Sequence, residues 1–515
     1  MNAPRRGAAV WRGDVFAGIS VALVLLPQAI AYAALAGLPP SSGLIAAIVA
    51  PIAAAVLVSS PSLQTGPVAM TSLLTFGTLV VIAPPLSATY LELAALLALV
   101  VGVIRVLIGL LRAGFVVYLM SEPVLVGFSS AVALLILGSQ LPAAFGVSLP
   151  GQDILGNLLR LFAHPDQWDR WALLMTLMSF ALIEGGRIWW PRFPWILCAV
   201  IGGLALSHTL DYRGPVLGLV QAGLALPSLS LPWGMLPALL IPGAVIALVG
   251  FSEAAAISRS MAARNRETWD ADREFLSQGA ANLAAGLFGG MPVGGSFSRT
   301  VLSQASGGRT RMAGLVTGIT VLLLLPLTGF LAELPRAVLA AVLITSVAKL
   351  VDLGAMLALL RISPAQASVS LVTFFATLLL APRIDLAVFV GISSAVGVHL
   401  WRERRIQIKS ELEGNTVRLE AVGVLYFGSA PLLEEALVAE LARYPAADRL
   451  VLDLRRVGRI DYSSALILRR VVAQAEGAGL TVRVLPGFPP QAERILRQVF
   501  GKDARCLADD PPAGS

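Results

Sequence analysis

Apolar runs near the length of a membrane helix recur from about Val15 to about Leu400, and they restrict the fold more than any other feature. A helix needs roughly 20 apolar residues to cross the hydrocarbon core. Of the 515 residues 57% are hydrophobic and 13% charged, which excludes a soluble domain as the main body. The first run cannot be a cleaved signal peptide alone, because similar runs follow it for hundreds of residues. Spans read at roughly 15–36, 41–58, 66–82, 88–110, 118–141, 171–187 and 194–209, then at 237–257, 273–289, 297–306, 311–332, 335–350, 364–381 and 384–400. Seven and seven make an α-helical membrane protein of about 14 transmembrane segments. An odd-numbered repeat reverses its partner's orientation, so the halves (15–209 and 237–400) form an inverted repeat.

Two of these runs break off at matching places. One breaks at Ser62-Leu63-Gln64-Thr65-Gly66-Pro67-Val68, the other at Met291-Pro292-Val293-Gly294-Gly295-Ser296-Phe297-Ser298-Arg299-Thr300. Irregular backbone at membrane depth is tolerated only inside protein or beside a water-filled cavity. A helix starting there aims unpaired N–H groups and a partial positive charge into that cavity. Two such starts, in corresponding places of two halves, point to a carrier's substrate site, and their polarity favours an anion.

The formal net charge of +7 is a topology signal rather than a nucleic-acid footprint. Arg5, Arg6 and Arg12 precede the first span; Arg187, Arg192, Arg259, Arg264, Arg266, Arg273, Arg309, Arg311, Lys349 and Arg361 crowd alternate loops; Arg402, Arg404, Arg405 and Lys409 follow the last. With a cytoplasmic N-terminus and about fourteen spans, all these clusters fall on the cytoplasmic side of a cell inner membrane. Cys198 and Cys506 give no disulfide framework or metal spacing, and His164, His208 and His399 form no catalytic or metal set. No cofactor is expected, and nothing in the chain reads as an enzyme.

In Pro27-Gln28-Ala29-Ile30-Ala31-Tyr32, Gln28 and Tyr32 share a helix face, where they line a cavity or bond another helix. Pro27 frees backbone groups at the same level. Ser296, Ser298 and Arg299 open the tenth segment. The hydroxyls and backbone N–H groups can donate to an anion, whereas Arg299, on another face from Ser298, supplies field or pairs with Glu253. Glu253, an acid inside an apolar span, is the candidate coupling site, taking up H⁺ or ligating Na⁺; the alternative is a structural salt bridge. Glu122 and Glu184 lie near span ends, and the Gly/Ala-rich stretches 279–290 and 313–318 read as close helix packing.

After Trp401 the character changes. A basic linker (401–409) leads to a domain over 410–507, with strands in 415–426, 449–457 and 481–485 and helices over 431–444, 463–478 and 490–500. This is a small soluble α/β domain. The tail 508–515 reads as disordered. Asp461 or Ser463 caps the second helix, or Ser463 is a phosphorylation or nucleotide-contact position.

These stretches together resemble the SulP family of anion permeases, which includes the solute-carrier anion exchangers and prestin. The resemblance runs from Asp14 to about residue 505. It is carried by Leu26-Pro-Gln-Ala-Ile-Ala-Tyr-Ala, Ala36-Gly-Leu-Pro-Pro, Thr65-Gly-Pro-Val-Ala and Asn282-Leu-Ala-Ala-Gly-Leu-Phe-Gly-Gly-Met-Pro-Val-Gly-Gly-Ser-Phe-Ser-Arg-Thr. Ile460-Asp461-Tyr462-Ser463 resembles the strand–helix motif of the STAS domain that the family carries. The resemblance implies core and gate domains, a homodimer in membrane lipid and an elevator-like shift of the core. It implies a pocket lined by Gln28 and Tyr32, amides from Val68, Phe297 and Ser298, field from Arg299, and coupling at Glu253. Two departures matter. Ser464-Ala465 replaces the serine–glycine more usual in that turn, and many chloride-handling relatives lack the Glu253 acid. The substrate class expected is a small anion such as sulfate, bicarbonate or a dicarboxylate like fumarate. Rival readings are an exchanger or voltage-responsive anion binder, a regulator whose soluble domain takes acyl carrier protein or a nucleotide, and a nucleobase permease. The last would offer acids at both helix starts.

Overall fold

The computed structural model describes residues 3–148, 154–190, 193–218, 220, 223–224, 226–403, 407–485 and 490–501. The tail at 508–515, the end of the C-terminal domain, Arg192, Arg404, Arg405 and Cys506 lie outside the described residues. The chain divides into two units, Met1–Ala395 and Val396–Ser515.

The first unit holds α1 (Ala3–Leu35), α2 (Pro40–Leu57), β1 (Thr65–Gly66), α3 (Ala69–Leu79), α4 (Ala88–Leu110), α5 (Glu122–Ala144), α6 (Ile154–Ala163), α7 (Arg170–Trp189) and α8 (Trp195–Thr209). It continues with α9 (Leu236–Asn265), α10 (Ala271–Leu287), β2 (Gly294–Gly295), α11 (Phe297–Ala305), α12 (Met312–Leu324), α13 (Arg336–Val347), α14 (Leu353–Ile362) and α15 (Pro364–Leu379), and the division between the units falls within α16 (Ile384–Glu403). Among the described residues, nine helices are long and apolar enough to cross a membrane, and α3, α6, α8 and α15 are shorter apolar ones. A helix stands at each place where the sequence suggests a span.

Local chemistry sets several boundaries. Pro40 opens α2 at the first helical position, where a missing N–H costs nothing. Ser87 caps α4 by accepting from the Tyr90 N–H at 3.2 Å, and Asp270 caps α10 by accepting from Asp272 and Arg273. Three features depart from the sequence reading. Helix α1 begins at Ala3 rather than near residue 15, since the Ala/Arg-rich lead-in favours helix and Pro4 sits in the first turn. Helices α6 and α14 occupy stretches expected as connections. In α6, Leu155, Leu159 and Phe162 recur at helical spacing on an exposed face, the pattern of a helix lying along a membrane interface.

The helices pack as two bundles. Helices α1, α2, α4, α9, α10 and α12 contact one another in the first, with α3 and α11 among them; α5, α7, α8, α13 and α15 form the second. Close approach in the first bundle depends on small residues. A Cβ added at Gly286 of α10 would lie 2.7 Å from the Ala95 carbonyl of α4.

The second unit carries a four-stranded sheet of order β3-β4-β5-β6, with β3 (Gln407–Glu413), β4 (Thr416–Leu425), β5 (Arg449–Ile460) and β6 (Thr481–Leu485). The β3–β4 pair is antiparallel and the others parallel. Helices α17 (Ala430–Arg443), α18 (Tyr462–Gly477) and α19 (Pro490–Phe500) complete it. Leu419, Leu450, Leu452, Leu454, Leu468 and Val471 anchor one core of its own. Strand β3 falls inside the stretch read as linker and first domain residues. Its charged Gln-Ile-Lys-Ser-Glu-Leu-Glu run suits an exposed edge strand and carries little apolar signal.

Candidate functional site

The two breaks meet. Thr65 pairs with Gly295 and Gly66 with Gly294 in an antiparallel ladder of two residues a side, continued by the Ser296 N–H donating to Gln64 O at 3.0 Å. Extended backbone inside an apolar unit survives because side chains complete its hydrogen bonds. Asn282 of α10 accepts from the Val293 N–H at 3.0 Å and donates to Val293 O at 3.1 Å. Thr71 of α3 donates to Pro292 O, Gln278 donates to Thr65 Oγ1 at 2.7 Å, and Gln64 donates to Ser303. Thr71 thereby serves the irregular backbone of the other half, while Gln278 and Gln64 tie side chains across the two.

Helices α3 and α11 begin directly after the two strands. Val68, buried and extended, stands at the N-cap of α3 without a side-chain cap, so that helix presents first-turn N–H groups. At α11 the Ser296 side chain accepts from the Arg299 N–H, and Ser296 and Ser298 hydroxyls lie 3.4 Å apart. Phe297 and Ser298 are exposed while Arg299 is buried, so the consecutive residues do face different ways.

Arg299 is 1% exposed. Its Nη1 donates to Pro67 O at 2.9 Å and to Gln28 Oε1 at 3.4 Å, while Nε and Nη2 have no partner. Gln28 in turn donates to Ser346 of α13, which joins the two bundles at this point. Tyr32 is buried beside Ser346 and, with Glu253, lies within electrostatic reach of Arg299. Glu253 is half-buried and forms neither a hydrogen bond nor an ion pair among the described residues. The structural salt bridge considered for Arg299 and Glu253 is therefore not made. Gln28, Tyr32, Val68, Arg299 and the start of α11 come together; Glu253 is tied to them by charge alone.

The sequence reading missed the scaffold behind the site: Gln64, Thr71, Arg105, Gln278, Asn282 and Ser346. Arg105 was detectable as a lone cation in the apolar run of α4, and Gln278 and Asn282 as polar residues four apart on α10. No group of three or more His, Cys, Asp or Glu that could hold a metal ion occurs among the described residues.

In the second unit Asp461 caps α18, accepting from the Ser464 N–H at 2.7 Å and the Phe427 N–H at 3.1 Å. Burial opposes its ionisation, but these bonds and the Arg459 charge hold the carboxyl below the usual range. Ser463 is exposed in the first turn of α18. A trough of about 530 Å³ on the open sheet face includes Arg418 and Arg455, both spent on Asp453, and Arg456, spent on Glu420.

Residues 11–373 match the Sulfate permease family and residues 408–503 match the family described as Mlab, STAS domain. The chain belongs to the sulfate permease family. It is 38% identical over 397 residues to "Probable sulfate transporter MT1781" of Mycobacterium tuberculosis (strain CDC 1551 / Oshkosh), covering 76% of this chain and 69% of the relative. Over 415 residues it is 34% identical to "Sulfate transporter 4.1, chloroplastic" of Arabidopsis thaliana, covering 78% and 61%. Among solved structures, that of SLC26A9 superposes with a TM-score of 0.89 at 20% identity, over 97% of this chain and 88% of the other. The transmembrane domain of the cyanobacterial bicarbonate transporter BicA superposes with a TM-score of 0.64 at 27% identity, over 75% and 97%. This sulfate permease family member is thus a multi-pass helical membrane protein with a C-terminal STAS domain, and an anion transporter.

Proposed function

We propose that this chain is a secondary active carrier that takes up a small oxyanion or dicarboxylate (sulfate, bicarbonate or fumarate) with H⁺ or Na⁺. The observation that carries the reading is Arg299, buried beside the ladder that joins the breaks, with two N–H-bearing nitrogens unpartnered. A guanidinium cannot discharge itself, so at membrane depth it calls for an anion. The α3 amides after Val68, the Phe297 and Ser298 amides, the Ser298 hydroxyl, Gln28 and Tyr32 would complete the cradle. Glu253, half-buried and unpaired, would take the coupling cation. The division of the helices into two bundles supports an elevator-like shift of the α1–α4 and α9–α12 bundle against the other, a motion that would have to break the Gln28–Ser346 bond between them. Family resemblance supports a homodimer, and the Arg/Lys clusters support an inner-membrane setting with the N-terminus and STAS domain cytoplasmic.

The test begins with thermal-shift screening of purified protein against anions at two pH values, with and without Na⁺, since a ligand of the native state raises stability. Proteoliposomes should then accumulate the labelled anion only under an ion gradient. Absence of binding and uptake across a broad anion panel would end this reading.

A further inference from the structure

A second buried guanidinium lies one residue beyond the ladder. Arg105 of α4 is fully buried and forms no ion pair among the described residues. Its Nε donates to Ala247 O at 3.1 Å, its Nη2 to Ile246 O at 3.2 Å and its Nη1 to Val293 O at 3.0 Å. Gly250 of α9 makes room for it, because a Cβ there would lie 2.8 Å from Nη2. Val293 leads into Gly294, which pairs with Gly66, and a Cβ on Gly66 would lie 3.4 Å from Arg299 Nη2. Two guanidinium groups without ion-pair partners therefore lie near the same two-residue ladder, Arg299 beside Gly66 and Arg105 on the carbonyl of Val293, next to Gly294.

Satisfying the Val293 carbonyl needs no charge, since Asn282 already does so with a neutral amide. Burying a cation without a counter-ion is costly, and three carbonyl contacts do not neutralise it. Ile246, Gly250 and Glu253 also follow at i, i+4 and i+7, so the α9 face that seats Arg105 continues to the coupling acid.

We infer that Arg105 is a specificity-determining residue: it is the second fixed charge of the anion site, acts through the ladder rather than by contact, and favours divalent over monovalent anions. The inference rests on the carrier reading above. Coulomb energy scales with the charge of the ligand, so loss of a distant fixed charge reduces affinity for a dianion by the square of the factor for a monoanion.

The experiment measures sulfate and bicarbonate affinity, at one pH, for the full-length native chain, Arg105→Gln and Arg105→Lys. Arg105→Gln should weaken sulfate about tenfold and bicarbonate only about threefold. Arg105→Lys, which keeps the charge and gives up the three-point contact, should hold both within about threefold of native. Equal losses for the two valences, or a lysine variant as weak as the glutamine variant, would leave Arg105 a mere backbone support and overturn the inference. If the glutamine variant does not fold, the lysine variant decides by the same criterion. If only one of the two anions binds, the order of Lys and Gln on that anion decides. If the native chain binds neither but binds fumarate, the order of Lys and Gln on fumarate decides; a native chain that binds no anion of the broad panel refutes the carrier reading instead, and the inference with it.

Discussion

Glu253 and Arg299 illustrate how the same apolar surroundings make two charges useful in different ways. The carboxyl can take up a proton or cation and lose its charge; the guanidinium cannot. Glu253→Gln should therefore leave anion-induced thermal stabilisation in place while uptake loses its dependence on the H⁺ or Na⁺ gradient. Gradient-driven accumulation that survives the substitution would remove Glu253 from coupling. Replacing Arg299 by Met should cost about tenfold or more in anion affinity, the size of one charge-assisted hydrogen bond. Isothermal titration with the best anion of the screen reads that loss directly. Gln28 and Tyr32 were legible as a pair because four residues separate them on a helix. Their partner Ser346 was not, since nothing along the chain links residues 318 apart.

At the level of elements, α10 lends side chains that help the broken segments hold their shape, as α3, α4 and α11 also do. Asn282 serves both the N–H and the C=O of Val293. Asn282→Ala would leave the Val293 N–H unpaired away from water, with Arg105 still on the carbonyl, and should destabilise the protein by about 2 kcal/mol, seen as a lower melting temperature. The start points of α3 and α11 were readable from Gly/Pro/Ser content. The ladder between them was not, because two residues a side are too short to show a strand period. Strand β3 escaped for a related reason: its outward charges hide a pattern in which only Ile408 and Ser410 turn partly inward.

For the whole molecule, two units with separate cores should respond separately. A chain ending after Glu403 should keep its anion-induced thermal shift, and loss of that shift would make the STAS domain part of the binding unit. The STAS domain carries its own acid sensitivity at Asp453. Hydrogen bonds from Arg455, then Arg418, hold this carboxyl far below the usual carboxylate range despite its burial. A depressed carboxyl contributes its full stability above its unfolded pKa, and that contribution fades as pH falls through about 4 and below. Circular dichroism of residues 407–501 should show acid unfolding in that window, and Asp453→Asn should flatten it. Ser463, exposed at the start of α18, is where an added phosphate would meet a helix N-terminus; Ser463→Glu should change uptake rate without changing anion affinity if it regulates.

Composition and periodicity alone determined that this chain crosses a membrane many times, breaks two of its helices in matching places and ends in a small α/β domain. Those properties arise from local backbone preference and from the length lipid demands. That the breaks pair with one another, that α10 and Arg105 bond to them, and that Arg299 is left with free donors while Glu253 remains unpaired were decided only by the tertiary structure. Each depends on residues far apart in sequence sharing an apolar interior, where every polar group must either find a partner or be held for a ligand.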